Sequence, residues 1–255
     1  MMTLHDIAHR PWPMSRRPWV LGMDWHDLLF MHWPIKAESI RRYIPSALSI
    51  DTYDGNAWIG VVPFRMSRVV PRLIPPVPYL SAFPELNVRT YVHAEGKPGV
   101  WFFSLDAGNP IAVELARSAF HLNYYNAIMT CGPVGEIVEY SSVRRHRQAP
   151  AAAFQGRYRP TGPVYQSRPG TLESWLTERY CLYAANRTGS IWRSDIHHAS
   201  WPLQPAEAEI ERNRMTEQIR LSLPETTPLL HFARHLEVVA WLPERLALAS
   251  PGGRQ

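Results

Sequence analysis

Apolar residues in this chain recur at every second position, or in short unbroken runs, more often than at helical spacing. The segment WVLGMDWHDLLFMHWPI (19–35) is apolar on both alternating faces, as in a strand buried on two sides or a barrel wall, and Pro34 is expected to end it. KAESIRRYI (36–44) predicts a short amphipathic helix closed by Pro45. Asp54-Gly55, between two strand-like runs in 48–66, predicts a hairpin. VVPRLIPPVPYL (69–80) carries too many prolines for regular structure and predicts a long loop, of the kind used as a lid or binding loop. Segments 88–94 and 99–105 predict a second hairpin around 95–98. Asn109 suits a helix cap and Pro110 its first turn, with the helix running to about His121.

Beyond that helix, 127–146 and 153–165 are β-rich, 171–180 reads as a helix start, and 181–199 as a hairpin over 186–190. Pro205 is expected to open a helical turn over AEAEIERN, and 235–243 to form a last strand. An extended, proline-punctuated arm (1–18) precedes this body, and a frayed tail (246–255) follows it. Strands outnumber helices, and hairpins join most neighbours. The expectation is one α+β domain over 19–245, a curved, largely antiparallel sheet or barrel with a few helices against it.

Composition agrees with that picture. The 255 residues, 45% hydrophobic and 19% charged, are enough for a full core without a disulfide or metal staple. Ten tryptophans and 24 prolines favour short segments around aromatic-lined interiors. The net charge is +5, yet the arginines are scattered and no basic cluster or nucleic-acid-binding motif appears, so nucleic acid is not an expected partner. Cys131 and Cys181 are too few for a disulfide framework. No apolar run reaches the ~20 residues needed to cross a bilayer, so no membrane association and a cytoplasmic location are expected.

The chemistry concentrates in FPELNVRTYVHAEGKPGVWFFSLDAGNPIAVELARSAFHLNYYN (83–126), where charged residues are set into segments that otherwise look buried. Glu85 and Arg89 lie four apart on a strand and share a face: either an ion pair stitching strands, or a cavity acid beside an anion-binding guanidinium. Asp106, just before the helix, reads as a loop-tying residue. His121, Tyr124 and Tyr125 either finish a helix or place a proton donor at a cavity floor. His26 and His32 read as core histidines, and the adjacent His197-His198 face opposite ways in a strand, so no metal or other cofactor is expected. Trp25, Trp33, Trp58, Trp101 and Trp192 read as core, some of them lining a pocket for rings or acyl chains. No nucleophile elbow, phosphate-cradling loop or dinucleotide fingerprint occurs.

HDLLFMHWPI, AWIGVVPFRMS, FPELNVRTYV, GVWFFSLDAGNP, YRPTGP, LTERYCLYA and HHASWPLQPAEAEI together resemble the YqjF-like family, DUF2071, from about Arg17 to Val239. That family is uncharacterised in activity. More remotely it is similar to the acetoacetate decarboxylase fold, which implies a curved antiparallel β structure around an apolar cavity. On that resemblance the decarboxylase's cavity arginine falls on His26 and its cavity glutamate on Glu85. Its two adjacent lysines, the first of which forms a Schiff base, fall on Asn123 and Tyr124. An imine needs a primary amine, and Lys36 and Lys97 are the only lysines of the chain, on an expected surface helix and in a turn. Acetoacetate decarboxylase activity is therefore not expected.

Two functions remain open on this reading. One is an acid–base lyase, dehydratase or isomerase acting on a small organic acid or keto compound. In it Glu85 moves the proton, Tyr124 with Asn123 (or His121) donates to the developing oxyanion, Arg89 or His26 holds the substrate anion, and Trp58 and Tyr125 line the site. The other is a non-catalytic binder of a small apolar or aromatic ligand. A sheet edge of this size also suits a homodimer or higher homo-oligomer.

Overall fold

The computed structural model describes residues 5–75 and 81–247. The strands are β1 (Leu21–Ile35), β2 (Ser49–Ile50), β3 (Ala57–Pro71), β4 (Phe83–Ala94), β5 (Lys97–Ala107), β6 (Tyr124–Val134), β7 (Ile137–Arg144), β8 (Ala153–Pro160), β9 (Cys181–Ala185), β10 (Ile191–His197), β11 (Leu203–Asn213), β12 (Leu229–Ala240) and β13 (Glu244–Arg245). Among the described residues three α-helices accompany them, α1 (Ala37–Arg41), α2 (Pro110–Phe120) and α3 (Leu172–Thr177), with one 3-10 turn at Glu217–Ile219. Among the described residues no helix is long and apolar enough to cross a membrane.

The strands close on themselves. From β5 the sheet runs through β6, β7, β8, β11, β12, β1, β3 and β4, and β4 pairs back with β5, giving a nine-stranded ring. A second circuit shares the wall β12-β1-β3-β4-β5 and closes it through β9 and β10. Division of edges makes this work. β5 pairs with β9 at Val100 and Trp101 and with β6 from Leu105 to Ala107. β12 likewise pairs with β11 around Phe232 and with β10 around Val239.

The shared wall explains a segment that is apolar on both faces. One face of β1, β3 and β4 gives Leu29, Met31, Val61, Leu86 and Val88 to a core with Tyr140, Phe154, Tyr158 and Phe232. The other gives Leu28, Phe30, Phe64, Met66 and Phe83 to a second cluster with Val113, Trp201 and Leu236. Within β1 the alternation changes step at Asp27, which takes a left-handed φ of 50° where β1 slips register against β3. Asp27 is held there by Arg65 and Arg234, whose guanidinium nitrogens lie 3.2 and 2.9 Å from its carboxylate oxygens, and its carbonyl accepts from the Tyr158 hydroxyl.

The second predicted hairpin is present with a tighter turn: Ala94 pairs with Lys97 across Glu95 and Gly96, both at positive φ, the geometry that favours glycine. Asn109 caps α2, its Oδ1 accepting from the amides of Ile111 and Ala112 at 3.1 Å. Four expectations need correction. Pro34 does not end β1 but pairs opposite Trp58, one residue from the strand's end. α1 stops at Arg41 because that guanidinium binds the carbonyls of Ile44, Pro45 and Leu48 and turns the chain back. Asp54-Gly55 does form a turn, but the strand before it, β2, pairs with β4 and not with β3. AEAEIERN is strand β11: its strict alternation puts Glu207 and Glu209 opposite Arg159 and Arg157 of β8, which outweighs the helix propensity of Glu and Ala. The predicted loop 69–80 begins as the end of β3, and 76–80 lie outside the described residues, as does 248–255 of the tail.

Candidate active site: a polar strip in an apolar cavity

Inside the smaller circuit is a cavity of about 520 Å³. β1 contributes Leu21, Met23, Trp25 and, past the change of step, Leu28. β3 contributes Phe64, Met66 and Val69 to Pro71, and Ile74 beyond it continues the wall. α2 forms part of its wall: Ala112, Ala116 and Ala119 line the cavity, as do Ile111 and Leu115, which remain more than half exposed.

Against this apolar lining, β4 supplies a polar strip. Phe83, Glu85, Asn87 and Arg89 alternate along the strand and all face the cavity. Glu85 is buried, and its Oε2 accepts the Tyr124 hydroxyl at 2.8 Å. Burial pushes the Glu85 carboxyl up to about 8; the Tyr124 hydrogen bond opposes that rise, and the nearby Asp106 charge adds to it. Burial and the Glu85 carboxylate push the Tyr124 hydroxyl well above its ordinary range. Asn87 is 5% exposed and its Oδ1 has no hydrogen-bond partner.

Arg89 is 8% exposed, and no carboxylate among the described residues reaches it. The guanidinium instead lies over the Phe30 ring at 5.0 Å and reaches the Tyr91 hydroxyl at 3.5 Å, and its Nε is unpartnered. Room for it comes from Gly60, directly opposite in β3, where a Cβ would stand 3.2 Å from Arg89 Cγ and 3.0 Å from the His32 ring. Further in, Arg179 and His198 also line the cavity. Arg179 is neutralised by Asp51 at 2.6 Å, and burial depresses His198 to about 4, so it is neutral at ordinary pH. Arg89 is the buried cation of this cavity with no acidic partner.

Glu85, Arg89 and Tyr124, predicted from sequence, thus converge on one cavity, and no Glu85–Arg89 ion pair forms. The other five candidates do not line it. His26 follows Trp25 on β1 and so points the other way, hydrogen-bonded to Ser67 and stacked on His235. Asn123 is exposed, its amide turned to the Phe102 carbonyl. His121 takes the left-handed position closing α2 and packs on Trp192. Trp58 is buried with Tyr91 and Leu176. Tyr125, next to Tyr124 on β6, faces the opposite side and covers Arg144 at 4.1 Å. Asp106 is the expected structural residue, bound by two nitrogens of Arg144 in a fully buried ion pair.

Asn87, Arg179 and His198 were not singled out from sequence. Asn87 follows from the same two-residue period that joins Glu85 to Arg89. Arg179 and His198 arrive only through closure of β9 and β10 on the shared wall. Neither lysine lines the cavity: Lys36 is exposed, and Lys97 opens β5 just after the Glu95-Gly96 turn, over Trp12.

A closed nine-stranded barrel with few helices is also the fold of acetoacetate decarboxylase-like proteins. A structure of the enduracididine biosynthesis enzyme MppR complexed with pyruvate superposes with a TM-score of 0.63 at 8% identity, covering 92% of this chain and 94% of that one. Acetoacetate decarboxylase from Legionella pneumophila superposes at 0.59 and 10% identity, covering 97% and 96%. The chain itself belongs to DUF2071, a family of uncharacterised conserved proteins, which it matches over residues 22–237. It is 44% identical over 223 residues to the uncharacterised protein YqjF of Bacillus subtilis (strain 168), spanning 88% of this chain and 91% of that protein.

Proposed function

We propose that this protein is an acid–base enzyme acting on a small organic acid or keto compound, by a lyase, dehydratase or isomerase step through an enol or enolate. The observation that carries the reading is the pairing of a carboxyl raised to about 8 with a buried arginine that no carboxylate neutralises, in one apolar cavity. A buried guanidinium without a counter-ion calls for an anionic ligand, and its planar fork suits a carboxylate or enolate. A carboxyl titrating near 8 is available in both protonation states around neutral pH, as a group that takes a proton from carbon and returns it must be. Tyr124 donates to Glu85 and so steadies the carboxylate form; Asn87 offers the strip's free acceptor.

Schiff-base chemistry is excluded from the proposal because no lysine lines the cavity. That a protein of the same fold binds pyruvate supports a keto acid as ligand class. The mostly apolar lining favours a second reading, a binder of a small apolar or aromatic acid that does no chemistry. Native mass spectrometry of gently purified protein, followed by assay of the identified compound, separates them. Turnover that is lost in Glu85→Gln is the outcome expected of the enzyme. A retained ligand that is never converted is the outcome that would sink it.

A further inference from the structure

On the side of β1 away from the cavity, Asp24 and His26 are two residues apart and share a face. His235 of β12 stands directly opposite His26, and the two rings stack with centroids 4.9 Å apart. One ligand atom from each of Asp24, His26 and His235 lies within 4.8 Å of the other two, and His235 Nε2 is 3.7 Å from Asp24 Oδ2.

Two features mark this cluster as more than a surface ion pair. The Asp24 side chain is 6% exposed and its Oδ1 has no hydrogen-bond partner, so a buried carboxylate oxygen is left unsatisfied beside two imidazoles. Its other oxygen is met at 3.3 Å by Arg68, which is 53% exposed and extends to Glu237 at 4.0 Å. Arg68 is thus a solvent-side counter-ion that can swing away. Arg65, the other nearby guanidinium, is held by Asp27. Ser67 Oγ hydrogen-bonds His26 Nε2 at 2.7 Å and fixes that ring, as an outer partner does for a metal-binding histidine.

We propose that Asp24, His26 and His235 bind a divalent transition metal ion, with water completing the coordination and Arg68 displaced. Two imidazoles and one carboxylate select zinc or its neighbours over magnesium or calcium. Ligand atoms around tetrahedral zinc stand about 3.3 Å apart, given bonds of about 2.0–2.1 Å. The present ligand atoms, all within 4.8 Å of one another, would close to that spacing on binding the ion. The ion would clamp β1 to β12 immediately behind Trp25 of the cavity wall.

The test is calorimetric titration of chelator-treated protein with ZnCl2, with MgCl2 as control and circular dichroism to check folding. One zinc per chain is expected, with no magnesium heat, and a cobalt-loaded sample should show tetrahedral d–d absorption. The double variant His26→Ala/His235→Ala should lose at least about tenfold in affinity. Should that variant not fold, Arg68→Ala, which removes the competing cation, should bind zinc more tightly than the parent. Absence of zinc binding, unchanged affinity in a folded double variant, or unchanged affinity in Arg68→Ala would each overturn the site.

Discussion

Tyr124 donates its hydroxyl to Oε2 of Glu85 at 2.8 Å, joining the first residue of β6 to the third of β4 inside the cavity. The contact depends on β6 running parallel to the end of β5, with Tyr124 beside Leu105, and on Asn123 and Tyr125 pointing elsewhere. It holds a raised carboxyl in one orientation, with a donor that itself does not ionise.

That raised carboxyl makes stability depend on pH. Glu85 titrates near 8 when folded and near 4.5 when unfolded, so between those values the native state holds the extra proton. Stability contributed by this group therefore falls as pH rises through that window, by about 1.4 kcal/mol per pH unit, and levels off above pH 8. Glu85→Gln cannot ionise. Urea unfolding from pH 5 to 9 should give a flatter profile for Glu85→Gln, and a variant more stable than the parent at pH 8.

Arg89 is a buried charge without an acidic partner among the described residues, which the proposed function assigns to an anionic ligand. Arg89→Met removes the desolvation cost and keeps the side chain's bulk over Phe30. Its melting temperature should equal or exceed that of the parent, while affinity for small carboxylates, measured by calorimetry, should drop at least about tenfold, the loss of one charge-assisted hydrogen bond. A destabilised variant that binds carboxylates normally would make Arg89 a structural residue.

Borohydride reduction in the presence of acetoacetate should leave the protein's mass unchanged, because Lys36 and Lys97 both lie outside the cavity. A trapped adduct on either lysine, seen by peptide mass spectrometry, would require chemistry this site cannot supply.

Much of the site could be read from the chain because β4 obeys a period of two. Glu85 and Arg89 fall on one face by counting, and Asn87 would have followed from the same count. The resemblance that points to His26 fixes its strand but not its side, and Trp25 takes the cavity face instead. The left-handed turn at Asp27 cannot be seen in a run where every residue looks buried, since both faces of that wall are interior. AEAEIERN invites a helical turn because Pro205 precedes it, yet its strict alternation spells a strand, as in β11. Arg179 and His198 depend on ring closure, which no local pattern encodes.

Asp106 and Arg144 test the structural half of the account. Both side chains are almost fully buried, so Arg144→Met leaves Asp106 uncompensated and should cost about 3–5 kcal/mol in urea unfolding. A loss below 1 kcal/mol would mean that the pair does not hold β5 to β7.

The most direct measurement follows the carbon-bound protons of small keto acids in D2O by proton NMR, which needs no knowledge of the final product. The parent protein is expected to accelerate exchange of at least one such acid above the buffer rate, and Glu85→Gln to return it to the buffer rate. Exchange at the buffer rate with the parent across the series, or equal acceleration by parent and Glu85→Gln, would contradict that expectation.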